Sequence, residues 1–406
     1  MLEQGAAGVA WQPVANRATV TTASGSGHTM VTDYGTNKKD EVRLWAITGT
    51  GASSTKYYEA GKLYKTVAKD ENWTSATDGK GGTVEEFKDF QERVVLKRVW
   101  ESDSKSLSTQ YVYDDFGDLR YVIPPGYLST SITHSTNDFK ELIFAYVYDG
   151  RRRVVEKKIP GKAWEYIVYN KNDQVVLTQD SLQRVSKEWS YTKYDAFGRV
   201  TTTGLYINTN TSQVSRVQMQ TLVNNHTGPL WETRSGGDYP ATTFPTKITG
   251  VTITPLVVNY YDSYDFTGGT TAGLQPTGIT KSNKTKTLLT GMKVYREDGS
   301  SSLLTINYYD DRARLIQSAS QNHLGGTDVV TNTYSFPGEL LSSKHVHKPS
   351  ASGAATTLLT TTSYDHVGRP LQTRKKINSQ TEVILSNLEY NQIGQLMRKG
   401  LHNETG

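Results

Sequence analysis

The chain has 406 residues, of which 45 are basic and 40 acidic, so its formal net charge is +5. This length allows one large or two medium domains, and the mild charge argues against nucleic acid as a partner. The absence of cysteine excludes disulfides, thiolate catalysis and cysteine-ligated zinc. No apolar run has the length of a membrane span, so we expect no membrane insertion.

The composition favours an all-β protein. Hydrophobic residues make up only 35% of the chain, yet it contains 25 Tyr and 35 Gly. Disordered chains are poor in aromatic residues, whereas Tyr suits strands and Gly suits the turns between them. We therefore predict an extended sheet with many turns.

Four segments follow one another along the chain. Residues 1–40 read as a loop-rich lead-in whose most flexible part is Ser24–Gly27. Residues 41–205 are the first part of the predicted sheet, and residues 291–406 are the second part. Residues 206–290 form an insertion in which the rhythm of strands and turns breaks.

One short helix is predicted within the insertion. The stretch Thr211–Val223 contains neither Gly nor Pro, and some of its apolar residues fit a helical period. The polar run Asn224–Gly228 would end this helix.

A short phrase recurs through both parts of the sheet, and its clearest copy is Tyr194–Val200. It reads Tyr-Asp, two or three variable residues, Gly, a basic or amide residue, then an aliphatic residue. Asp at the start of a turn accepts hydrogen bonds from backbone amides, and Gly adopts the left-handed conformation that a bulged hairpin needs. We expect the following Arg to point outward into solvent. The predicted turn residues are Tyr113, Asp114, Gly117, Tyr148, Asp149, Tyr194, Asp195, Gly198, Arg199, Tyr309, Asp310, Tyr364, Asp365, Gly368, Arg369, Tyr390, Asn391 and Gly394.

Repetition of a fixed phrase indicates a repeat architecture. Together with Glu85–Asp89, Arg93–Arg98 and Ile123–Pro125, the copies resemble the Rhs/YD-repeat family, especially its Bacteroidetes-type branch. The resemblance covers roughly Val42 to His402. The family includes polymorphic-toxin shells, cocoon components of insecticidal toxins and the shell of animal teneurins.

The resemblance implies a ribbon of β-hairpins that spirals into a hollow shell around a C-terminal polypeptide cargo, often a toxin. It also implies a protein that is secreted or on the cell surface, although Met1–Gly5 does not begin a signal peptide. The Asp-Pro core with which many members release their cargo is not visible, and we expect either an excised portion of a longer protein or a short member. If about 60% of the chain is strand, its sheet covers roughly 4,000 Å², about half a shell around a 100-residue cargo.

No phosphate-binding, dinucleotide-binding, zinc-protease or nucleophile-elbow motif is present. His345 and His347 would share one face of a strand, but a surface pair is the favoured interpretation over a metal site. The carboxylate pairs Asp114–Asp115 and Asp310–Asp311 occupy turn positions, which favours a structural role over acid–base or cation chemistry. We therefore predict no catalytic residue, no metal and no cofactor.

Two runs of basic residues and a set of tryptophans have alternative interpretations. These runs, Arg151–Arg153 with Lys157–Lys158, and Arg374–Lys376, could contact nucleic acid or an acidic surface, although solvated strand edges are favoured. Scattered tryptophans favour packing between strands over a sugar-binding surface; they are Trp73, Trp100, Trp164, Trp189 and Trp231.

The favoured function is a non-catalytic shell segment whose partner is a polypeptide cargo or the remaining shell of a longer protein. The alternative is an adhesin that binds a surface glycan or protein, with contacts around 206–290. A third possibility, a glycan-cleaving enzyme, requires two carboxylates about 5–9 Å apart across a cleft.

Overall fold

The computed structural model describes residues 2–4, 29–73, 78–209, 215–297 and 301–402. Ser24–Gly27 therefore lies outside the described residues. The chain divides into two units, Met1–Ile167 with Gln179–Val185, and Val168–Thr178 with Ser186–Gly406. The described strands pair antiparallel, apart from one isolated bridge, so the all-β prediction is confirmed.

The first unit contains one long sheet and one small sheet. The strands of the long sheet, in their order of pairing, are β1 (Leu2–Gln4), β2 (Met30–Thr36), β5 (Tyr64–Lys69), β6 (Val84–Lys88), β7 (Val94–Trp100), β8 (Ser106–Tyr113), β9 (Leu119–Ile123), β11 (Phe144–Tyr148), β12 (Val154–Lys158) and β13 (Glu165–Tyr169). The strands of the small sheet are β3 (Arg43–Thr48), β4 (Gly51–Tyr57) and β10 (Ser131–Thr133).

The prediction of a loop-rich lead-in was wrong for residues 30–36, because they form β2, in which Val31–Thr36 pairs with β5. Its sequence is polar except for a few residues, and Val31 is its buried side chain. A strand that is stabilised mainly by backbone pairing carries little hydrophobic alternation, so sequence period could not reveal it.

A short helix, α1 (Asn137–Leu142), covers the core of the first unit. Phe139 packs there with Ile132 of the small sheet and Tyr121 and Ile123 of the long sheet. Buried Lys158 lies under the helix and donates hydrogen bonds from Nζ to three carbonyl groups, those of Lys140, Ile143 and Ile159. This ammonium satisfies carbonyl groups at the helix C-terminus, where a cation is favoured.

The second unit is a meander in which each strand pairs with the next. Its strands are β14 (Val175–Gln179), β15 (Glu188–Tyr194), β16 (Val200–Asn208), β17 (Val251–Tyr261), β18 (Leu289–Tyr295), β19 (Ser302–Tyr309), β20 (Leu315–Gln321), β21 (Thr327–Tyr334), β22 (Leu340–Lys348), β23 (Thr356–Tyr364), β24 (Pro370–Ile377), β25 (Val383–Tyr390) and β26 (Leu396–Leu401).

The predicted helix is present as α3 (Arg216–Asn224), closed at its start by a reciprocal capping box between Ser215 and Gln218. Residues 211–214 of the predicted stretch lie outside the described part of the chain. The prediction of one helix was incomplete, because α1 and α2 (Ser181–Ser186) are also formed. Both have six residues, and so short an element gives too little of a helical period to detect.

The predicted break in the alternation of strands and turns does not extend over all of 206–290. Strand β17 lies within this range and pairs with both β16 and β18. The strands thus continue through the predicted insertion, and the extra residues form two excursions, 209–250 and 262–288. The second excursion covers one face of β17–β20, where Phe266 and Leu274 pack against Tyr260, Ile306 and Tyr308.

Beyond Val329 of β21, which still packs against the cluster under the second excursion, the described residues of the sheet form a single layer. Nearly all side chains of β21–β25 are half-buried or exposed, with no alternation between a buried and a solvated face. These strands make their principal contacts with their sequence neighbours. Backbone pairing and contacts along the sheet, rather than a second layer, therefore stabilise this part.

The close approach of Phe266 to the sheet depends on Gly291, because a Cβ there would overlap the Phe266 ring. Gly291→Ala should lower the free energy of unfolding by about 1–3 kcal/mol through overpacking, as measured by urea denaturation. Gly35→Ala is the control, since a Cβ at Gly35 meets open space. A Gly291→Ala variant as stable as the control would show that the ring moves aside freely.

Candidate functional site: the repeated hairpin corner

Each copy of the phrase forms the same hairpin corner, which Asp195 illustrates. Its Oδ1 accepts hydrogen bonds from the backbone N–H groups of Phe197 and Arg199, each at 2.9 Å. Its own N–H donates to the Arg199 carbonyl, and the Gly198 N–H donates back to the Asp195 carbonyl. The single carboxylate oxygen thus satisfies two backbone donors within the turn.

Other corners repeat these hydrogen bonds with Asp or Asn in the first position. The residues whose Oδ1 accepts from the second and fourth following N–H groups are Asp89, Asp114, Asp149, Asn170, Asp195, Asp310, Asn322, Asp365 and Asn391. Sequence reasoning missed the turns at Asp89 and Asn322, which lack a preceding Tyr. The turn at Asp89 could have been predicted from the spacing of Asp89 and Arg93, which are four residues apart like Asp195 and Arg199.

The fourth residue of the corner has a positive φ, but it need not be Gly. Gly117, Gly198, Gly368 and Gly394 have φ between 77° and 87°. Arg152 and Ala313 occupy the same position in the Asp149 and Asp310 corners, with φ of 62° and 60°. The corner's hydrogen bonds therefore hold ordinary residues in a conformation that normally favours glycine.

The Arg at the fifth position does not simply point outward, as we expected; it folds back over its own corner. The Nε of Arg199 lies 2.6 Å from Asp195 Oδ2. The same contact is made by Arg93 with Asp89, Arg153 with Asp149, Arg314 with Asp310 and Arg369 with Asp365. One carboxylate oxygen thus holds the turn backbone while the other holds the guanidinium.

Where a corner begins with Tyr, this residue connects the corner to the preceding hairpin. Its hydroxyl donates to the carbonyl of the aliphatic or Pro residue that begins an earlier strand, at 2.8–3.1 Å. Such bonds join Tyr113 to Val94, Tyr148 to Leu119, Tyr194 to Val175, Tyr261 to Val200, Tyr309 to Leu289, Tyr334 to Leu315, Tyr364 to Leu340 and Tyr390 to Pro370. We call this series the tyrosine ladder.

Arginine and asparagine side chains reinforce the ladder. The guanidinium of Arg369 lies 4.6 Å from the ring centre of Tyr390 in the next corner, and Arg314 lies 5.0 Å from that of Tyr334. Asn307, two residues before Tyr309, also donates to the Leu289 carbonyl. Neighbouring hairpins are therefore joined by a hydroxyl, a cation–π contact and, in some places, an amide.

The second excursion is attached to the ladder through Arg199. This side chain contacts Asp195 in its own corner and also makes a bidentate pair with Asp262, with distances of 2.9 and 2.6 Å. The hydrogen bond from Arg199 lowers the pKa of Asp262 below its ordinary value, although burial opposes the shift. Asp262 follows Tyr261 as Asp follows Tyr elsewhere, but its Oδ1 accepts a hydrogen bond from the Thr287 N–H at the far end of the excursion. The Tyr-Asp pair is thus kept here while the tight hairpin turn is replaced by the excursion.

The two predicted histidines lie on one face and contact a third side chain. Asp328 Oδ1 lies 2.7 Å from His347 Nδ1 and 3.1 Å from His345 Nε2. Burial raises the pKa of Asp328, but hydrogen bonds with His347, His345 and Asn322 outweigh it and lower the pKa overall. No group of three His, Asp or Glu side chains within the described ranges is arranged to hold a metal ion.

The other candidate groups do not converge on one site. Asp115 and Asp311 are the second residues of their corners, and Asp311 accepts a hydrogen bond from the Ser282 hydroxyl. Trp189 is buried and Trp231 is exposed. Trp164 packs against His134, and Trp100 lies under the cations of Lys80 and Arg98.

The predicted basic runs do not lie at solvated strand edges. Arg374–Lys376 lies within β24, which pairs on one side with β23 and on the other with β25. Arg151–Arg153 lies in the Asp149 corner, where Arg152 contacts Asp118 and Arg153 contacts Asp149. The prediction of an edge was wrong for both runs, because adjacent charges gave no indication of strand order.

A buried ion pair holds the first excursion to β15. Lys193 Nζ lies 3.2 Å from Glu232 Oε1 and donates to the Thr243 carbonyl at 2.8 Å. The same Glu232 oxygen accepts from the N–H and hydroxyl of Thr243. Burial lowers the pKa of Lys193. Sequence reasoning missed this pair, whose partners are far apart in the chain.

Comparisons with known proteins give the fold only weak parallels. No family model and no curated protein matches the chain. The crystal structure of TcdB2-TccC3-TEV is 13% identical over 89% of this chain and 17% of its own, with a TM-score of 0.38. The crystal structure of TcdB2-TccC3 is 14% identical over 88% of this chain and 17% of its own, with a TM-score of 0.35. The chain thus spans about a sixth of the length of these structures.

No helix among the described residues is long and apolar enough to cross a membrane.

The tyrosine ladder can be tested by comparing two hydroxyls. Tyr194→Phe should lower the free energy of unfolding by about 1–2 kcal/mol, because it leaves the Val175 carbonyl without this donor. Tyr309→Phe should lower the free energy of unfolding by a smaller amount, because Asn307 still donates to the Leu289 carbonyl that Tyr309 would leave. Urea denaturation measures both. Equal losses for the two variants would contradict the role of the asparagine, and Asn307→Ala combined with Tyr309→Phe should restore the larger loss.

The Arg199–Asp262 pair should make stability sensitive to acid. Because the folded state lowers the pKa of Asp262, its contribution is complete above about pH 4 and is lost as the pH falls through the lowered value. Asp262→Asn should be less stable than wild type at neutral pH, and the difference should shrink toward pH 2 in thermal melts. Asp265→Asn, at an exposed site nearby, is the control. A difference independent of pH would rule out the charge as its cause.

Proposed function

We propose that this chain is a non-catalytic wall segment of an Rhs/YD-repeat type protein, which encloses or helps to enclose a polypeptide cargo. The observation that carries the proposal is the single-layer sheet β21–β26, whose hairpins are joined by the tyrosine ladder. Such a sheet separates two spaces without a core of its own, as the wall of a container must. A secreted or cell-surface location belongs to the same proposal.

The composition of the wall supports this function. Its two faces carry mainly Thr, Ser, Val, Leu and charged residues, which can border solvent or an incompletely folded chain. Its cohesion comes from corners at one edge, so it does not depend on what either face contacts. From the resemblance to the Rhs/YD-repeat family, we infer that the cargo is a polypeptide encoded after the repeats of the full-length protein.

Limited proteolysis of the full-length protein tests enclosure. A segment encoded after the repeats should resist trypsin and a second protease far longer in the full-length protein than when it is produced alone. Denaturing the repeats in urea should abolish the protection. Equal rates of digestion in both forms would overturn enclosure, and binding to a surface glycan or protein would then become the better proposal.

A further inference from the structure

The register of β21–β24 sorts the charged residues of the single-layer sheet onto two faces. Residues that pair directly across strands share a face. Thr331 pairs with Lys344, Lys344 with Leu359, and Leu359 with Lys376. Both lysines therefore lie on one side of the sheet.

Two further cations lie on the same side, because residues two or four apart along a strand share a face. Lys348 follows Lys344 by four residues, and Arg374 precedes Lys376 by two. We call this set, Lys344, Lys348, Arg374 and Lys376, the lysine face. Lys375 points to the opposite face, which also carries Asp328, His345 and His347.

The lysine face has little acidic compensation. The acidic residues between 327 and 377 are Asp328, on the opposite face, and Glu339 and Asp365, in corners. Arg374 pairs with Glu382 at 3.3 Å across an exposed strand end. Strands lie about 4.8 Å apart, so Lys344 and Lys376 are about 10 Å from each other, and their fields overlap within a Debye length.

Apolar side chains lie among these cations. Val346 and Leu359 are half-buried, and Leu359 lies between Lys344 and Lys376. Val329, which pairs with Val346, packs instead against the cluster under the second excursion. The face thus offers short apolar side chains surrounded by ammonium groups. This combination suits a polypeptide in which Asp or Glu residues accompany aliphatic ones.

The chemistry fits nucleic acid less well. Proteins that bind single strands stack bases on aromatic side chains. The aromatic residues of β21–β24 are Tyr334 and Tyr364, and both hydroxyls are bonded within the tyrosine ladder. The lysine face therefore provides cations for phosphate groups but no aromatic side chains on which bases could stack.

We propose that the lysine face binds an extended acidic polypeptide segment. The acidic side chains contact Lys344, Lys348 and Lys376, and aliphatic side chains of the segment lie over Val346 and Leu359. This inference deepens the proposed function by naming the partner's chemistry, and it rests on that function only in taking the partner to be a polypeptide, since binding requires no enclosure.

The experiment uses the intact chain and a labelled peptide of alternating Glu and Leu or Val residues, with fluorescence anisotropy as the readout. Lys344→Glu combined with Lys376→Glu should weaken binding at least about tenfold. The matched control is Lys375→Glu combined with Lys399→Glu, which changes the net charge equally on the opposite face. The control should change the affinity less than about twofold, and wild-type binding should weaken as salt rises.

Circular dichroism and thermal melts should show that both double variants are folded. Equal weakening by the two double variants would mean that net charge alone attracts the peptide, which overturns the proposal. Absence of wild-type binding at low salt, or tighter binding of a single-stranded oligonucleotide than of the peptide, would also overturn it. None of these outcomes bears on cargo protection in the full-length protein, so failure here is distinguishable from failure of enclosure.

Discussion

The hydrogen bond from a corner tyrosine to the carbonyl of the preceding hairpin is the interaction on which the rest of the structure depends. Antiparallel hairpins are marginal by themselves, and beyond Val329 of β21 no second layer among the described residues buries their faces. The ladder compensates by joining each hairpin to its neighbour at a fixed place and in a fixed register. Burial raises the pKa of Tyr194 and Tyr309, so their hydroxyls remain protonated donors over the physiological range.

The corner joins local and long-range order through one carboxylate. Asp195 holds its turn with Oδ1 and positions Arg199 with Oδ2, and Arg199 then contacts the ring of Tyr261. Each residue of the phrase therefore acts at a different distance along the chain. Asp acts within its turn, Arg acts on its own turn and the next corner, and Tyr acts on the hairpin before it.

Sequence predicted the parts whose chemistry is local. The Asp and Gly of the phrase predict a turn by themselves, and abundant Tyr and Thr predict strands. The all-β class and the positions of the hairpin corners could therefore be predicted from the sequence. The partner of each Tyr hydroxyl was not, because it lies in another hairpin, as Leu119 does for Tyr148. Strand β2 and the buried Lys193–Glu232 pair were missed for the same reason, since both depend on register or on distant segments. His345 and His347 were correctly placed on one face, yet Asp328 opposite them could be found only from strand pairing.

The ladder also determines how this protein can change in size. Each hydroxyl of the ladder donates to the hairpin next to its own, so the energetic coupling is close to one-dimensional. The excursions at 209–250 and 262–288 show that long segments can be inserted between strands while the next corner still bonds to the previous one. Gain or loss of a whole hairpin would leave every other junction intact, whereas loss of half a hairpin would reverse the strand direction at each later junction. Such a protein should vary in length by pairs of strands.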